Sequence, residues 1–202
     1  MMEAVQGTEE WFDVKRGKIS ATHMADILMK PDKAGYRNYL AKLVLERVTG
    51  KTEETYCSSD MERGIELEAT ARECYEFETD QEVEQVLWVD HPTIPMAGCS
   101  PDGVIADLAG GVEFKCPKAA THLGYILTEK IDRNYMLQMQ WQMECQDFQW
   151  IDFVSYHPDF PADKQLKIIR VHRDETVIQE LKDAAVLFGA AVEQMIIDLE
   201  AA

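Results

Sequence analysis

The sequence lacks any run of about 20 continuous apolar residues, the length that a membrane helix needs, so no bilayer span is expected. Met1 to Gln6 carries Glu3 and no basic residue leading into an apolar stretch, so a secretory signal is not expected and the chain is read as cytoplasmic. Cysteine is sparse and odd in number: Cys57, Cys74, Cys99, Cys116 and Cys145. No two stand at zinc-ribbon spacing, and the absence of a C-x2-C run argues against an iron–sulfur cluster. Free, buried thiols behaving as small hydrophobes are expected instead. His23, His91, His122, His157 and His172 are scattered without ligand spacing and are read as structural. Internal repeats, low-complexity tracts and linkers are absent too, which leaves one domain over residues 1–202.

Positive charge is also in short supply. The formal net charge is −17, whereas a free-standing DNA binder is usually basic. The deficit is uneven. Residues 1–51 hold nine Lys/Arg against seven Asp/Glu, a surplus of two, so the remainder carries −19. Any contact with a polyanion must lean on the N-terminal part and on a sheltered groove.

What is present is a hydrophobic fraction of 46%, enough for a real core. Trp11 to Lys18 reads as a short helix or turn stopped at Gly17, with Trp11 in the core. Ser20 or Thr22 is expected to cap a helix to about Met29, with Ile19, Met24, Ile27 and Leu28 inward. Pro31 to Gly35 is a loop. Tyr36–Thr49 reads as an amphipathic helix with Tyr39, Leu40, Leu43, Val44 and Val48 apolar, stopped by Gly50. Met61–Glu78 reads as a helix buried along Leu67, Ala71, Cys74 and Tyr75. Val83–Val89 is β-rich. Cys99–Asp107 and Val112–Cys116 are strand candidates forming a hairpin around Gly110-Gly111. Helical character returns at Ala119–Glu129 and Arg133–Gln146, and Trp150–His157 and Leu166–His172 alternate like strands. Asp174 is expected to cap a last helix to about Leu199, with Val177, Leu181, Val186 and Ile196 apolar. The order points to a mixed α/β domain.

Ser100-Pro101-Asp102-Gly103 and Gly111-Val112-Glu113-Phe114-Lys115-Cys116-Pro117 carry the chemistry. Strand alternation puts Glu113 and Lys115 on one face, and Val112, Phe114 and Cys116 on the other. If the hairpin closes, Asp102 lies near Glu113. Two converging carboxylates repel unless a cation sits between them. Mg²⁺ typically takes one or two carboxylates plus phosphate oxygens, and a metal there could activate water against a phosphodiester. Lys115 could orient or deprotonate that water, or stabilise the developing charge. Alone, a Glu-x-Lys on a strand is commonplace surface, and an S-P-D-G turn is an ordinary loop.

Cys99-Ser100-Pro101-Asp102-Gly103 followed by Val112-Glu113-Phe114-Lys115-Cys116-Pro117 resembles the phage lambda exonuclease family, also called the YqaJ-like viral recombinase family, of the PD-(D/E)xK nucleases. Gln6-Gly7-Thr8-Glu9-Glu10-Trp11-Phe12, with Gly17, Ile19 and Ala21, resembles its N-terminal motif. Arg63-Gly64-Ile65-Glu66-Leu67-Glu68 resembles its acidic helix start, and Tyr135-x-x-Gln138-x-Gln140 a later helical motif. The resemblance implies a restriction-endonuclease-like core, a central mixed β-sheet flanked by helices. It implies metal ligation by Asp102, Glu113, the Phe114 carbonyl and Glu68, with Glu66 the competitor, since the two lie on different helix faces. It places Lys115 as the strand lysine and brings Gln138 to the site. The cofactor implied is Mg²⁺ or Mn²⁺, two ions per site. The family's arginine and serine for the 5′-phosphate are replaced here by Lys15, with Arg16 beside it, and by Thr22; Ser100 joins this DNA-binding set. Lysine keeps the charge but loses the bidentate fork.

The activity implied is 5′→3′ exonuclease action on linear double-stranded DNA, leaving 3′ single-stranded tails for recombination. The implied setting is a bacterial or phage-infected host cytosol. Implied partners are DNA ends, further copies of the chain in a trimeric ring, and a single-strand annealing protein. The alternatives are a structure- or site-specific endonuclease, a catalytically inactive DNA-binding module, and an acidic cation-binding interaction protein, which the charge favours. Circular DNA separates the first from an exonuclease, and loss of cleavage identifies the others.

Overall fold

The computed structural model describes residues 8–52 and 59–202. Cys57, the stretch Met1 to Gln6 and the Gln6-Gly7 start of the N-terminal motif lie outside the described residues. Helix α1 (Glu9–Lys15) is followed by strand β1 (Ile19–Ser20), a 3-10 turn (Ala21–His23), α2 (Met24–Ile27), α3 (Ala34–Thr49) and α4 (Ser59–Thr79). The strands β2 (Val89–Asp90), β3 (Ala97–Cys99), β4 (Gly103–Ile105) and β5 (Gly110–Lys115) come next. Helices α5 (Ala119–Thr128) and α6 (Arg133–Gln146), strands β6 (Trp150–Tyr156) and β7 (Leu166–His172), and helix α7 (Glu175–Glu200) complete the order.

The expected α/β architecture is present, with one amendment: the strands form two sheets. The larger runs β4-β5-β6-β7 and is mixed, antiparallel at both edges and parallel between β5 and β6. The smaller runs β1-β3-β2. Helix α4 packs one face of the larger sheet, with Ala71 and Tyr75 against Phe114 and Val154. The other face takes Tyr125 of α5 and Met139 and Met143 of α6, against Ile151 and Phe153. The opposite side of α6 presents Leu137, Trp141 and Cys145 to a third cluster shared with α2, α3, α7 and the small sheet. Helix α6 is thus clamped from two sides by apolar surface. Strand β6 was expected to alternate. All seven of its residues are buried, because it is central in its sheet and helices cover both faces.

Several local readings need correction. The predicted helix from Ser20 or Thr22 to Met29 is a 3-10 turn leading into the four-residue α2, with no side-chain cap from Ser20; Ser20 belongs to β1, where its N–H donates to the Tyr39 hydroxyl at 2.9 Å. Val83–Val89 yields strand only at Val89, plus an isolated bridge from Glu84 to Val104. Val48 is 50% exposed. Arg47 takes the inward direction of that turn instead, donating to the Gly17 carbonyl and pairing with Glu193. Val186 is 56% exposed because it lies one residue off the buried stripe Leu181, Ala185, Phe188 and Val192. Asp174 does cap α7, accepting from the Thr176 and Val177 amides, worth about 1 kcal/mol.

The β4–β5 hairpin forms, but Gly110 and Gly111 are not its turn. They open β5, paired with Ile105 and Val104. The reversal is made by the 3-10 turn Ala106–Leu108 and by Ala109 at φ 47°. The glycines serve close approach instead: a Cβ at Gly110 would stand 2.3 Å from the Trp150 ring.

Candidate active site

Strand register builds the centre. Gly103 pairs with Val112, so Asp102, the residue just before β4, falls beside Glu113 and Phe114. Its Oδ2 accepts the Phe114 N–H at 2.9 Å. Val112 and Phe114 enter the α4-side core, as alternation predicts. Glu113 therefore faces α6, and its side chain is fully buried.

A buried carboxylate is costly unless paired and hydrogen-bonded. Glu113 has three donors. Its Oε1 accepts from Lys115 Nζ and from Gln138 Nε2, the latter at 2.6 Å. Its Oε2 accepts from Gln142 Nε2 at 2.7 Å. Lys115 Nζ also lies 4.0 Å from Asp102 Oδ2 and 5.1 Å from the Tyr135 ring centroid. Burial, then the charges of Glu113 and Glu68, hold the Asp102 carboxyl well above the ordinary carboxylate range, against the pull of Lys115. Burial alone would lower the Lys115 pKa, but Glu113 and then Asp102 outweigh it and raise it. Lys115 is a fixed cation here.

Glu68 reaches this field from α4. Burial raises its carboxyl, Arg72 (3.3 Å away) and Lys115 lower it, and Glu113 raises it. Glu66 is exposed, so of the two competing glutamates Glu68 is the one placed toward the centre. Arg63 latches the start of α4 to the end of β5, donating to the Cys116 and Pro117 carbonyls at 3.0 and 3.2 Å.

The N-terminal residues are brought in unevenly. Trp11 is half-buried rather than core: its indole N–H donates to Ser100 Oγ at 2.9 Å, and Lys15 Nζ sits 3.1 Å over its ring. Ser100 lies two residues before Asp102, so this chain of contacts ties Lys15 to the edge of the carboxylate site. Burial, then the charge of Lys42, lower the Lys15 pKa to about 8, with Glu46 opposing. Arg16 is engaged elsewhere, with Asp13 and with Thr52 Oγ1 at 3.3 Å. Thr22 is exposed on the 3-10 turn.

Two contributors were missed in the sequence. Gln142 bonds Glu113 directly, and its signal was available: it follows Gln138 by four residues on a predicted helix, hence on the same face. Gln140, quoted in the motif, faces away and bonds the His172 carbonyl and the Asp174 amide. Lys42, whose charge reaches Lys15 from α3, had no local signal. The four described cysteines are free thiols: Cys99 and Cys145 are buried, Cys74 and Cys116 half-buried.

Among the described residues, no group of three acid, histidine or cysteine side chains forms a ready-made metal cage. Mg²⁺ does not need one, since it keeps water and phosphate oxygens beside one or two carboxylates. Asp102 and Glu113 are hard oxygen donors, and burial first, with Glu113 adding to it, raises the carboxyls of Asp102 and Glu68, a cost to the ionised forms that a bound cation would relieve. The donor set fits a hard divalent cation held by Asp102 and Glu113, with Glu68 and the Phe114 carbonyl as further candidates.

A family model described as the YqaJ-like viral recombinase domain matches residues 10–149. The crystal structure of an alkaline exonuclease, LHK-Exo, from Laribacter hongkongensis is similar at 42% identity and a TM-score of 0.90, covering 96% of this chain and 97% of that one. The same exonuclease in complex with dAMP matches at 41% identity, with the same TM-score and coverage. A phage related exonuclease from Haemophilus somnus 129PT, at 14% identity, shares the fold alone, with a TM-score of 0.72 over 90% of this chain and 96% of its own. No curated protein matches the chain.

Proposed function

The chain belongs to the YqaJ-like viral recombinase family, and on that premise we propose that it is a DNA exonuclease that degrades one strand of linear duplex DNA from the 5′ end. The observation that carries the reading is the convergence of Asp102, Glu113 and Lys115 on one strand pair, with Glu113 buried and held by three donors. An inert module would have no reason to retain so costly an arrangement.

Asp102 and Glu113 would hold one or two Mg²⁺ or Mn²⁺ ions, helped by Glu68 and the Phe114 carbonyl. A bound cation supplies Lewis acidity toward a phosphodiester oxygen. Lys115 brings a permanent positive charge to the scissile phosphate, where it stabilises the negative charge that develops as the bond breaks. Gln138 keeps one Glu113 oxygen oriented. Lys15, which sits over Trp11 as Trp11 bonds Ser100, would meet the 5′-phosphate, with Thr22 and Arg16 in lesser roles. The products would be mononucleotides and a 3′ single-stranded tail, a substrate for an annealing protein. A ring of three copies would put the N-terminal basic residues toward the DNA and the acidic remainder toward solvent.

The test is a digestion time course on linear 5′-phosphorylated duplex beside circular duplex, with wild type and Lys115→Ala, in Mg²⁺ and in chelator. The expected result is metal-dependent loss of the linear DNA alone, absent in the variant. Cutting of the circle would make the protein an endonuclease. No cleavage by folded wild type across metals and salts would leave a binding module.

A further inference from the structure

Gln142 stands one helical turn after Gln138 on α6, fully buried. Its Nε2 donates at 2.7 Å to Glu113 Oε2, the oxygen that neither Lys115 nor Gln138 engages. Its own Oε1 is buried without a donor among the described residues. The opposite amide orientation would press that carbonyl oxygen against a carboxylate oxygen, so the bond to Glu113 dictates which end is stranded. Buried polar atoms are nearly always paired, and an exception calls for a reason. An apolar side chain of the same length would strand no amide oxygen here, but it would leave Glu113 Oε2 without its donor. The stranded Oε1 is the local cost of the bond to Glu113, as expected where a side chain serves a site rather than the fold.

We infer that Gln142 is a positioning residue that fixes the plane of the Glu113 carboxylate for cation binding; this rests on the nuclease reading above. Lys115 and Gln138 hold one oxygen only, and a carboxylate held by one oxygen can still swivel about its last torsion. Gln142 anchors the other oxygen from the same rigid helix. Apolar surface packs α6 on two sides, so both amides are carried on one well-packed element. Groups that orient a ligand side chain typically affect metal affinity by about 10–100-fold.

The experiment compares wild type, Gln142→Met and Gln140→Met. Methionine matches glutamine in length and removes the donor. Gln140 is the control on the same helix, since it bonds backbone and not Glu113. Mn²⁺ binding is measured by calorimetry without DNA, thermal midpoints are recorded in chelator, and the Mg²⁺ requirement for cleavage of linear duplex is titrated. The expected result for Gln142→Met is a cooperative melt with Mn²⁺ affinity weakened about 10-fold or more, and the Mg²⁺ needed for half-maximal cleavage raised by a similar factor. Gln140→Met should lose thermal stability and keep its Mn²⁺ affinity. Should Gln142→Met not fold, Gln142→Asn, which draws the amide back by one methylene, carries the same expectation. Mn²⁺ affinity within twofold of wild type in a folded Gln142 variant overturns the inference, while a wild type that cleaves leaves the nuclease reading standing. A wild type that neither binds Mn²⁺ nor cleaves overturns both.

Discussion

Replacing Lys115 by methionine removes the ammonium from between two buried carboxylates. Its Nζ stands 4.0 Å from Asp102 and closer to Glu113. At 4 Å and an effective dielectric of about 20, each such attraction is about 4 kcal/mol before desolvation. Releasing the buried lysine recovers part of that, and breaking a buried pair costs about 3–5 kcal/mol net. The carboxylates also have an escape, since they can take up a proton, and Asp102 is already pushed toward the protonated form. We therefore expect a loss of about 3 kcal/mol at pH 7 in chelator, a fall in melting midpoint of about 6–12 °C for a chain of this size. The pH dependence has a definite sign. Losing Lys115 raises the folded-state pKa of Asp102 further, so the native state binds more protons than the unfolded state, and stability falls as pH rises through that interval. The gap from wild type should be smallest near pH 5 and widest near pH 8. Mg²⁺ should narrow it by supplying the missing charge. The assay is differential scanning fluorimetry at pH 5, 7 and 8, with Mg²⁺ and with chelator. An unchanged midpoint, or a gap that closes toward high pH, would refute the charge argument.

Asp102→Asn and Glu113→Gln should each lower cleavage of linear duplex by about 10³-fold, the upper end for losing a charge-organising group, measured as rate at saturating Mg²⁺. The Lys15 ammonium, with its pKa near 8, loses its charge as pH rises above that value. The preference for 5′-phosphoryl over 5′-hydroxyl ends should therefore decline from pH 7.5 to 9.5 in wild type and hold in Lys15→Arg; a flat wild-type ratio would remove Lys15 from phosphate recognition. Gly110→Ala places a Cβ 2.3 Å from the Trp150 ring and should cost about 1–3 kcal/mol in urea unfolding.

The sequence exposed the centre well because its parts are local. Glu113 and Lys115 share a face by strand alternation alone, and Asp102 needed only a hairpin to join them. Helices α3 and α7 were legible because an apolar stripe agrees with a terminal signal, Gly50 after the one and Asp174 before the other. What failed was whatever depends on distant partners. Gly110 resembles a turn glycine until Trp150 of β6 is laid against it. Trp11 resembles core until Ser100 takes its indole N–H. Val48 fits the buried stripe until Gly17 and Glu193 claim its neighbour Arg47. The small sheet has strands of two or three residues joined across long sequence gaps, too short for any period to show. Lys42 acts on Lys15 across 27 positions, and no spacing rule announces that.

The charge of −17 looks incompatible with DNA only if charge is averaged over the molecule. Exposed charges more than about 8–10 Å apart are largely screened at physiological salt. The acids on the outer faces of α4 and α7, such as Glu66, Glu73, Glu180, Asp183 and Asp198, are exposed and act mainly on what approaches those faces. Lys15, Lys18 and Lys42 belong to the basic N-terminal segment, and the Trp11–Ser100 bond ties that segment to the carboxylate site. Lys18 is partly neutralised by Asp90, 2.7 Å away. Lys15, by contrast, has its pKa lowered by burial first and by the ammonium of Lys42 second. Two lysines that repel each other bind a phosphate more gladly than one that is already paired, because the anion relieves their repulsion as well as making its own contacts. A strongly acidic surface then works toward selectivity. It disfavours duplex at the outer faces of α4 and α7, which directs contact toward the N-terminal lysines that border the carboxylates.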